Sequence, residues 1–99
     1  MSDALKIDRK DNVAVVIRPV KAGETVSWQE EEQGEKMICA VGDIPIYHKI
    51  ALSDMTAGQK VIKYGEHIGE ASCEIKAGEH VHTHNVISVR EDLSKEVDQ

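Results

Sequence analysis

Phenylalanine is missing from this chain, tryptophan occurs once (Trp28), and leucine three times in 99 residues. A core of interlocking leucine-rich helices is therefore excluded. The apolar content is instead 21 valines and isoleucines, β-branched side chains that are stiff at χ1 and fit pleated strands. No apolar run approaches the roughly 20 residues of a membrane span. The opening Met1-Ser2-Asp3-Ala4-Leu5-Lys6 has no signal-peptide core, so a cytoplasmic protein without membrane contact is expected. Basic residues are outnumbered, 12 against 18 acidic, for a net charge of −6. That excludes a binder of nucleic-acid phosphates, which needs a basic face, but not a small anionic substrate held by a few local lysines. The two cysteines, Cys39 and Cys73, are far apart and form no C-x-x-C pair, so free buried thiols are expected.

The length suits one small domain with a thin core. Residues 1–10 read as an N-terminal extension, 11–90 as the domain and 91–99 as a polar tail that frays or forms a short helix. Three segments share one pattern: Lys21-Ala22-Gly23-Glu24-Thr25-Val26, Thr56-Ala57-Gly58-Gln59-Lys60-Val61 and Lys76-Ala77-Gly78-Glu79-His80-Val81. Glycine supplies the positive φ of a tight turn, and the valine opens a strand. Their unequal spacing rules out a regular solenoid. Strands are expected at 12–17 (buried on both faces), 36–41, 49–52, 60–64, 71–75 and 81–89. Tyr64-Gly65-Glu66 reads as a hairpin tip, Gly69 as a bulge, and Pro45 confines 44–47 to a loop or edge. Residues 30–35, rich in glutamate, read as a solvated loop. The fold class is mainly β, with short irregular strands.

Reactive chemistry concentrates in Gly78-Glu79-His80-Val81-His82-Thr83-His84-Asn85, where three of the five histidines alternate. On a strand they share one face. Same-face neighbours stand nearly 7 Å apart at a rise of about 3.3 Å per residue, so His80/His82 or His82/His84 can converge on one ion. His80 and His84, roughly 13 Å apart, join only if the strand bends. A cupin site also begins His-x-His, but its glutamate is missing: Val86, Ile87, Ser88 and Val89 stand where it belongs. Against a functional site stands the reading of a solvated strand face or a subunit contact. As titratable groups near neutrality, the histidines suit either metal ligation or proton transfer. A second constellation, Tyr47-His48-Lys49, can hold a carboxylate, the lysine as point charge and the histidine as donor. Lys63-Tyr64-Gly65 is a weaker candidate, and His67 reads as structural.

Taken in order, Asp11-Asn12-Val13-Ala14-Val15, Ile44-Pro45-Ile46-Tyr47-His48-Lys49-Ile50-Ala51-Leu52, Val61-Ile62-Lys63-Tyr64-Gly65, Ile68-Gly69 and Ala77 to Asn85 resemble the amino-terminal domain of the altronate/galactarate dehydratase family. The match runs from 11 to 85, about three-quarters of the chain. The resemblance implies a SAF-type β-clip fold and elimination of water from a sugar acid to give a 2-keto-3-deoxy acid. It implies Fe2+, or Mn2+ or another divalent metal, held mainly by a partner. A related two-subunit lyase removes sulfite from sulfolactate with a small subunit of this size. On that basis His82, His84 and Asn85 are the expected catalytic residues, with His82, His84 and also His80 as metal ligands. His48, Lys49, Tyr47 and Lys63 are expected to bind substrate. Where the family has glycine before the His-Lys pair, this chain has Tyr47, which either adds bulk or redirects the loop. The chain ends at Gln99, short of the family's large catalytic region. It is expected to be a separate small subunit, working with a large dehydratase subunit, or an excised domain, in either case inactive alone, with homo-oligomers left open. The rival is a non-catalytic SAF-type module for carbohydrate binding or assembly.

Overall fold

A computed structural model describes residues 2–30 and 32–88. Nine strands and no helix are found among them: β1 (Ala4–Leu5), β2 (Val13–Val16), β3 (Thr25–Glu30), β4 (Gly34–Cys39), β5 (Lys49–Ala51), β6 (Lys60–Lys63), β7 (Glu66–Ala71), β8 (His80–Val81) and β9 (Val86–Ser88). They form a four-stranded sheet in the order β1-β2-β5-β8, a two-stranded hairpin β3-β4 and a three-stranded sheet β6-β7-β9. This is a small all-β fold of the SAF β-clip kind. No helix among the described residues is long and apolar enough to cross a membrane.

The architecture rests on a pattern that runs through the sequence four times. Val16, Val20, Gly23 and Val26 recur at the same intervals as Ala40, Ile44, Tyr47 and Ile50, as Ala51, Met55, Gly58 and Val61, and as Ala71, Ile75, Gly78 and Val81. Every apolar member of these four sets is buried, at most 2% exposed. In each set the chain closes a tight turn through one backbone bond: Glu24 N to Lys21 O, His48 N to Pro45 O, Gln59 N to Thr56 O and Glu79 N to Lys76 O, all 3.0 Å. The third residue of each turn has positive φ, as a type II turn demands: Gly23 (+89°), Gly58 (+88°), Gly78 (+92°) and Tyr47 (+69°). Tyr47 thus keeps the loop path that glycine would take, and its ring is added outward, 70% exposed. The fourth copy escapes a search for Ala-Gly because Ile46-Tyr47 replaces it.

The turns dock on neighbouring copies. Gly23 N bonds Ala40 O, Gly58 N bonds Ala71 O, Tyr47 N bonds Val16 O and Gly78 N bonds Ala51 O. Bridges Val20↔Ile44 and Met55↔Ile75 complete two related halves. Each half has its own core, one around Val16, Val20, Val26 and Ile44, the other around Met55, Val61, Ile75 and Val81. Strands β2 and β5 lie between them. Ala14 and its cross-strand partner Ile50 enter the first core, while Val13 and Ala51 enter the second. That explains why β2 is apolar almost throughout.

Several expectations are corrected. Residues 81–88 are not one strand, because β8 ends at Val81 and a turn covers 82–85; Val89 lies outside the described residues, as does the 91–99 tail. The strand expected at 71–75 runs instead from Glu66 to Ala71. Glu30 belongs to β3, where its carboxylate meets Lys6 and accepts from the Trp28 indole (3.1 Å), so it is not a solvated loop residue. The thiols of Cys39 and Cys73 are free but exposed. Residues assigned to an extension contribute β1, and Asp3 ties it to Arg18 and Ser27. The bulge lies on β7 at Ile68, beside Gly69, whose own role is to let β9 approach: a Cβ there would stand 2.4 Å from Ile87 O. The Tyr64-Gly65 tip joins β6 to β7 as expected, both residues at positive φ.

Two of the turn glycines separate backbone strain from close packing. At Gly23 a Cβ meets nothing within 4 Å, whereas at Gly78 it would stand 2.3 Å from Cys39 O and 3.2 Å from Val41. Gly23→Ala should therefore cost only the left-handed penalty, about 1–2 kcal/mol. Gly78→Ala adds an overpacking cost of about 1–3 kcal/mol. Urea unfolding of both variants checks this; equal losses would contradict the packing described.

Candidate functional site: a histidine cluster beside Lys49

Three histidines from two separate segments meet where β5 pairs with β8. The register Lys49↔Val81 and Ile50↔His80 is antiparallel, so continuing it by one residue sets His48 opposite His82. Opposed side chains in such a ladder lie close, and diagonal ones remain within reach of a ring. The His48 and His82 rings accordingly stack with centroids 3.9 Å apart at 19°. His48 Nδ1 lies 2.8 Å from His80 Nε2, so one ring must present N–H and the other a lone pair. One ligating nitrogen from each of the three falls within 4.8 Å of the others. His82 Nδ1 is buried and has no hydrogen-bond partner.

The turn that interrupts the expected strand makes this convergence. Asn85 is 3% exposed. Its Oδ1 accepts from His82 N (3.0 Å), its Nδ2 donates to His80 O (2.9 Å), and its own N–H bonds His82 O (3.1 Å). Its amide is thus committed to the main chain of His80 and His82, which suits an orienting role for Asn85. The bend also returns His84 toward His80, with ring centroids 4.9 Å apart, while leaving it exposed. The straight-strand argument that kept His80 and His84 apart does not apply here.

Burial, then the charges of His84, His48, His82 and Lys49, push the His80 pKa below its ordinary 6.5. His82 is lowered chiefly by burial, then by His48, Lys49 and His84. Among the described residues, no carboxylate figures among the causes of either shift. Lys49 is itself lowered from 10.5, first by burial and then by the neighbouring charge of Lys63. Both rings are thereby favoured as neutral bases at neutral pH, beside a half-buried cation.

A cleft of about 200 Å³ opens between Lys49, Ile68, His82, Thr83, Val86 and Ser88. It is smaller than the roughly 300–1,000 Å³ typical of drug-sized ligands and suits a small acid. A larger hollow, about 440 Å³, beside Ile7, Asp8, Arg9 and Lys10 contains none of these groups. Of the other expected site residues, Lys63 lies near Lys49 in charge and places its ammonium 5.1 Å from the Tyr64 ring centroid. Tyr47 holds the turn that carries His48 and turns its side chain outward. His67 is exposed on β7.

Sequence reasoning named His48 but placed it with Lys49 in a site of its own. The missed signal was the fourth turn copy. Aligning Ile44, Tyr47 and Ile50 with Ile75, Gly78 and Val81 sets 48–49 against 79–80, and two such units pair there.

The altronate/galactarate dehydratase SAF domain family matches residues 2–89. The altronate dehydratase of Escherichia coli (strain K12) is 40% identical over 91 residues, covering 92% of this chain and 17% of that protein. The altronate dehydratase of Bacillus subtilis (strain 168) is 36% identical over 85 residues, 86% of this chain and 16% of that protein. This chain therefore spans about one-sixth of the length of these two relatives. The (2R)-sulfolactate sulfo-lyase subunit alpha of Chromohalobacter salexigens is 40% identical over 85 residues, 84% of this chain and 90% of that protein. The chain belongs to the altronate/galactarate dehydratase SAF domain family.

The lowered pKa values set a pH dependence. A histidine lowered in the fold binds fewer protons folded than unfolded, so its contribution is complete above 6.5 and is lost as pH falls from there through the folded value. Metal-free protein should lose resistance to urea between neutral pH and about pH 5. A His80→Gln/His82→Gln double variant should flatten that slope. An unchanged slope would count against neutral buried rings.

Proposed function

We propose that this member of the family forms one wall of the active site of a carbon–oxygen lyase, acting on a hydroxy acid together with a large catalytic subunit. The observation that carries the reading is the convergence of His48, His80 and His82 beside the half-buried Lys49 and its small cleft. Relatives named as lyases support it.

Elimination from a 2,3-dihydroxy acid breaks the C–H bond beside the carboxylate, and that electron pair forms C=C as the 3-hydroxyl departs. The leaving oxygen takes a proton to become water, and the enol rearranges to a 2-keto-3-deoxy acid. In this assignment Lys49 anchors the substrate carboxylate, in the ground state as in the transition state. Its lowered pKa reflects the desolvation that strengthens such an interaction. His84, exposed at the turn tip next to His80, is the group free to move a proton. Asn85 maintains the backbone of His80 and His82. A divalent cation such as Fe2+ fits three convergent imidazoles with one buried nitrogen lacking a partner, and when bound would supply Lewis-acid stabilisation of the developing charge. His48, His80 and His82 would hold it, and the large subunit would complete its shell.

A second reading is supported by similarity to a sulfolactate sulfo-lyase alpha subunit, 40% identical over 85 residues. The same proton removal then expels sulfite in place of hydroxide.

Co-expression with a candidate large subunit, assayed for 2-keto-3-deoxy acid and for sulfite, separates the two by product. Stable association without any effect on rate would instead identify a non-catalytic module. In the active assembly, His84→Ala should lower turnover by about 10²–10⁴-fold. His82→Ala should also lower it by orders of magnitude. Lys49→Ala should chiefly raise KM, as loss of a ground-state anchor does. Full activity in both histidine variants would refute the catalytic reading, and an unchanged KM would refute the anchor.

A further inference from the structure

We infer that this chain alone, with no partner subunit, binds one divalent late-transition-metal ion on His48, His80 and His82, and that it discriminates against magnesium and calcium. The inference rests on the reading above in taking the same cluster as functional, but it does not depend on which reaction occurs there.

The geometry is close to that of a coordinated ion. Ligand atoms on a tetrahedral metal with bonds of about 2.0–2.1 Å stand about 3.3 Å apart. Here one pair is already at 2.8 Å, and all three candidate atoms lie within 4.8 Å of one another, so small ring rotations suffice. Stacked imidazoles with facing nitrogens gain one hydrogen bond at best, while His82 Nδ1 is left buried without any. An unpaired buried polar atom is costly, and a metal would satisfy it.

The frame is also built in advance. His48 is held by the turn at Pro45 and the bond from Val16 N to its carbonyl (2.9 Å). His80 and His82 are held through their main chains by Asn85. Supporting contacts of this kind fix ligand direction, and binding then requires little ordering.

Selectivity follows from the donor set. Three imidazole nitrogens, joined by no carboxylate among the described residues, suit zinc, cobalt, nickel, copper or iron, whereas magnesium and calcium require oxygen. Lys49 and His82 line the same cleft, so a dication on His82 faces a neighbouring ammonium. An anion, bound at the remaining coordination position and facing Lys49, would relieve that repulsion. The metal and the lysine would thus form a two-point holder for a carboxylate or sulfonate.

Untagged protein, stripped with chelator, should be titrated with Co2+ or Zn2+ by calorimetry, and with Co2+ by visible absorption. One equivalent should bind, and excess Mg2+ should neither bind nor compete. His48→Ala and His82→Ala should weaken binding by more than the roughly 10–100-fold that loss of a supporting partner costs. His67→Ala should leave it unchanged, and His82→Gln, checked by thermal unfolding, guards against misfolding. Absence of Co2+ and Zn2+ binding to the wild type, undiminished binding in His82→Gln, or competition by Mg2+ would overturn the inference. No substrate or partner enters this experiment. Its failure therefore leaves the lyase assay standing, while a metal-binding chain that yields no lyase product overturns only the functional reading.

Discussion

Reciprocal backbone bonding between a turn and the strand of a neighbouring copy is the constraint on which this structure depends. Gly78 N bonds Ala51 O while Ala51 N bonds Glu79 O; Tyr47 N bonds Val16 O while Val16 N bonds His48 O. Each pair locks a corner whose third residue must be left-handed. With only short strands available, no single ladder is long enough to define the fold. The corners define it instead, and they aim four apolar triplets into two cores. Asp43 and Asp54 reinforce this by accepting from the exposed turn amides of Ala22 and Ala77 at 2.9 and 2.8 Å.

The candidate cluster inherits its precision from the same corners. His48 is the last residue of one turn and His80 follows another, so the pairing of β5 with β8 sets the imidazoles face to face. Tyr47 occupies the one corner that departs from glycine. An L-residue at positive φ costs about 1–2 kcal/mol, and here the strained residue directly precedes a cluster histidine. Strain of this kind is often found beside sites whose geometry must be maintained.

Electrostatically the cluster is an unusual base. Among the described residues no carboxylate offsets the lowering of the two histidines, and the charge of half-buried Lys49 adds to it. In an otherwise acidic chain of net charge −6, the local field differs from the global one. Such a contrast is what the proposed small-anion site requires in a protein that repels polyanions.

Composition determined the β class, because β-branched side chains without phenylalanine have few other ways to form a core. The order of short motifs determined the family, and the three Ala-Gly turns were legible from the conformational demand on glycine. The turn at Tyr47 was hidden because the same backbone was built from different residues. Period-two alternation correctly gathered His80 and His82, but it implied a straight strand where Asn85 bends the chain through main-chain bonds that no spacing rule encodes. Only tertiary structure could bring His48 into the cluster. Its proximity to His82 comes from a strand register set 34 residues apart, by corners and cores rather than by any local preference.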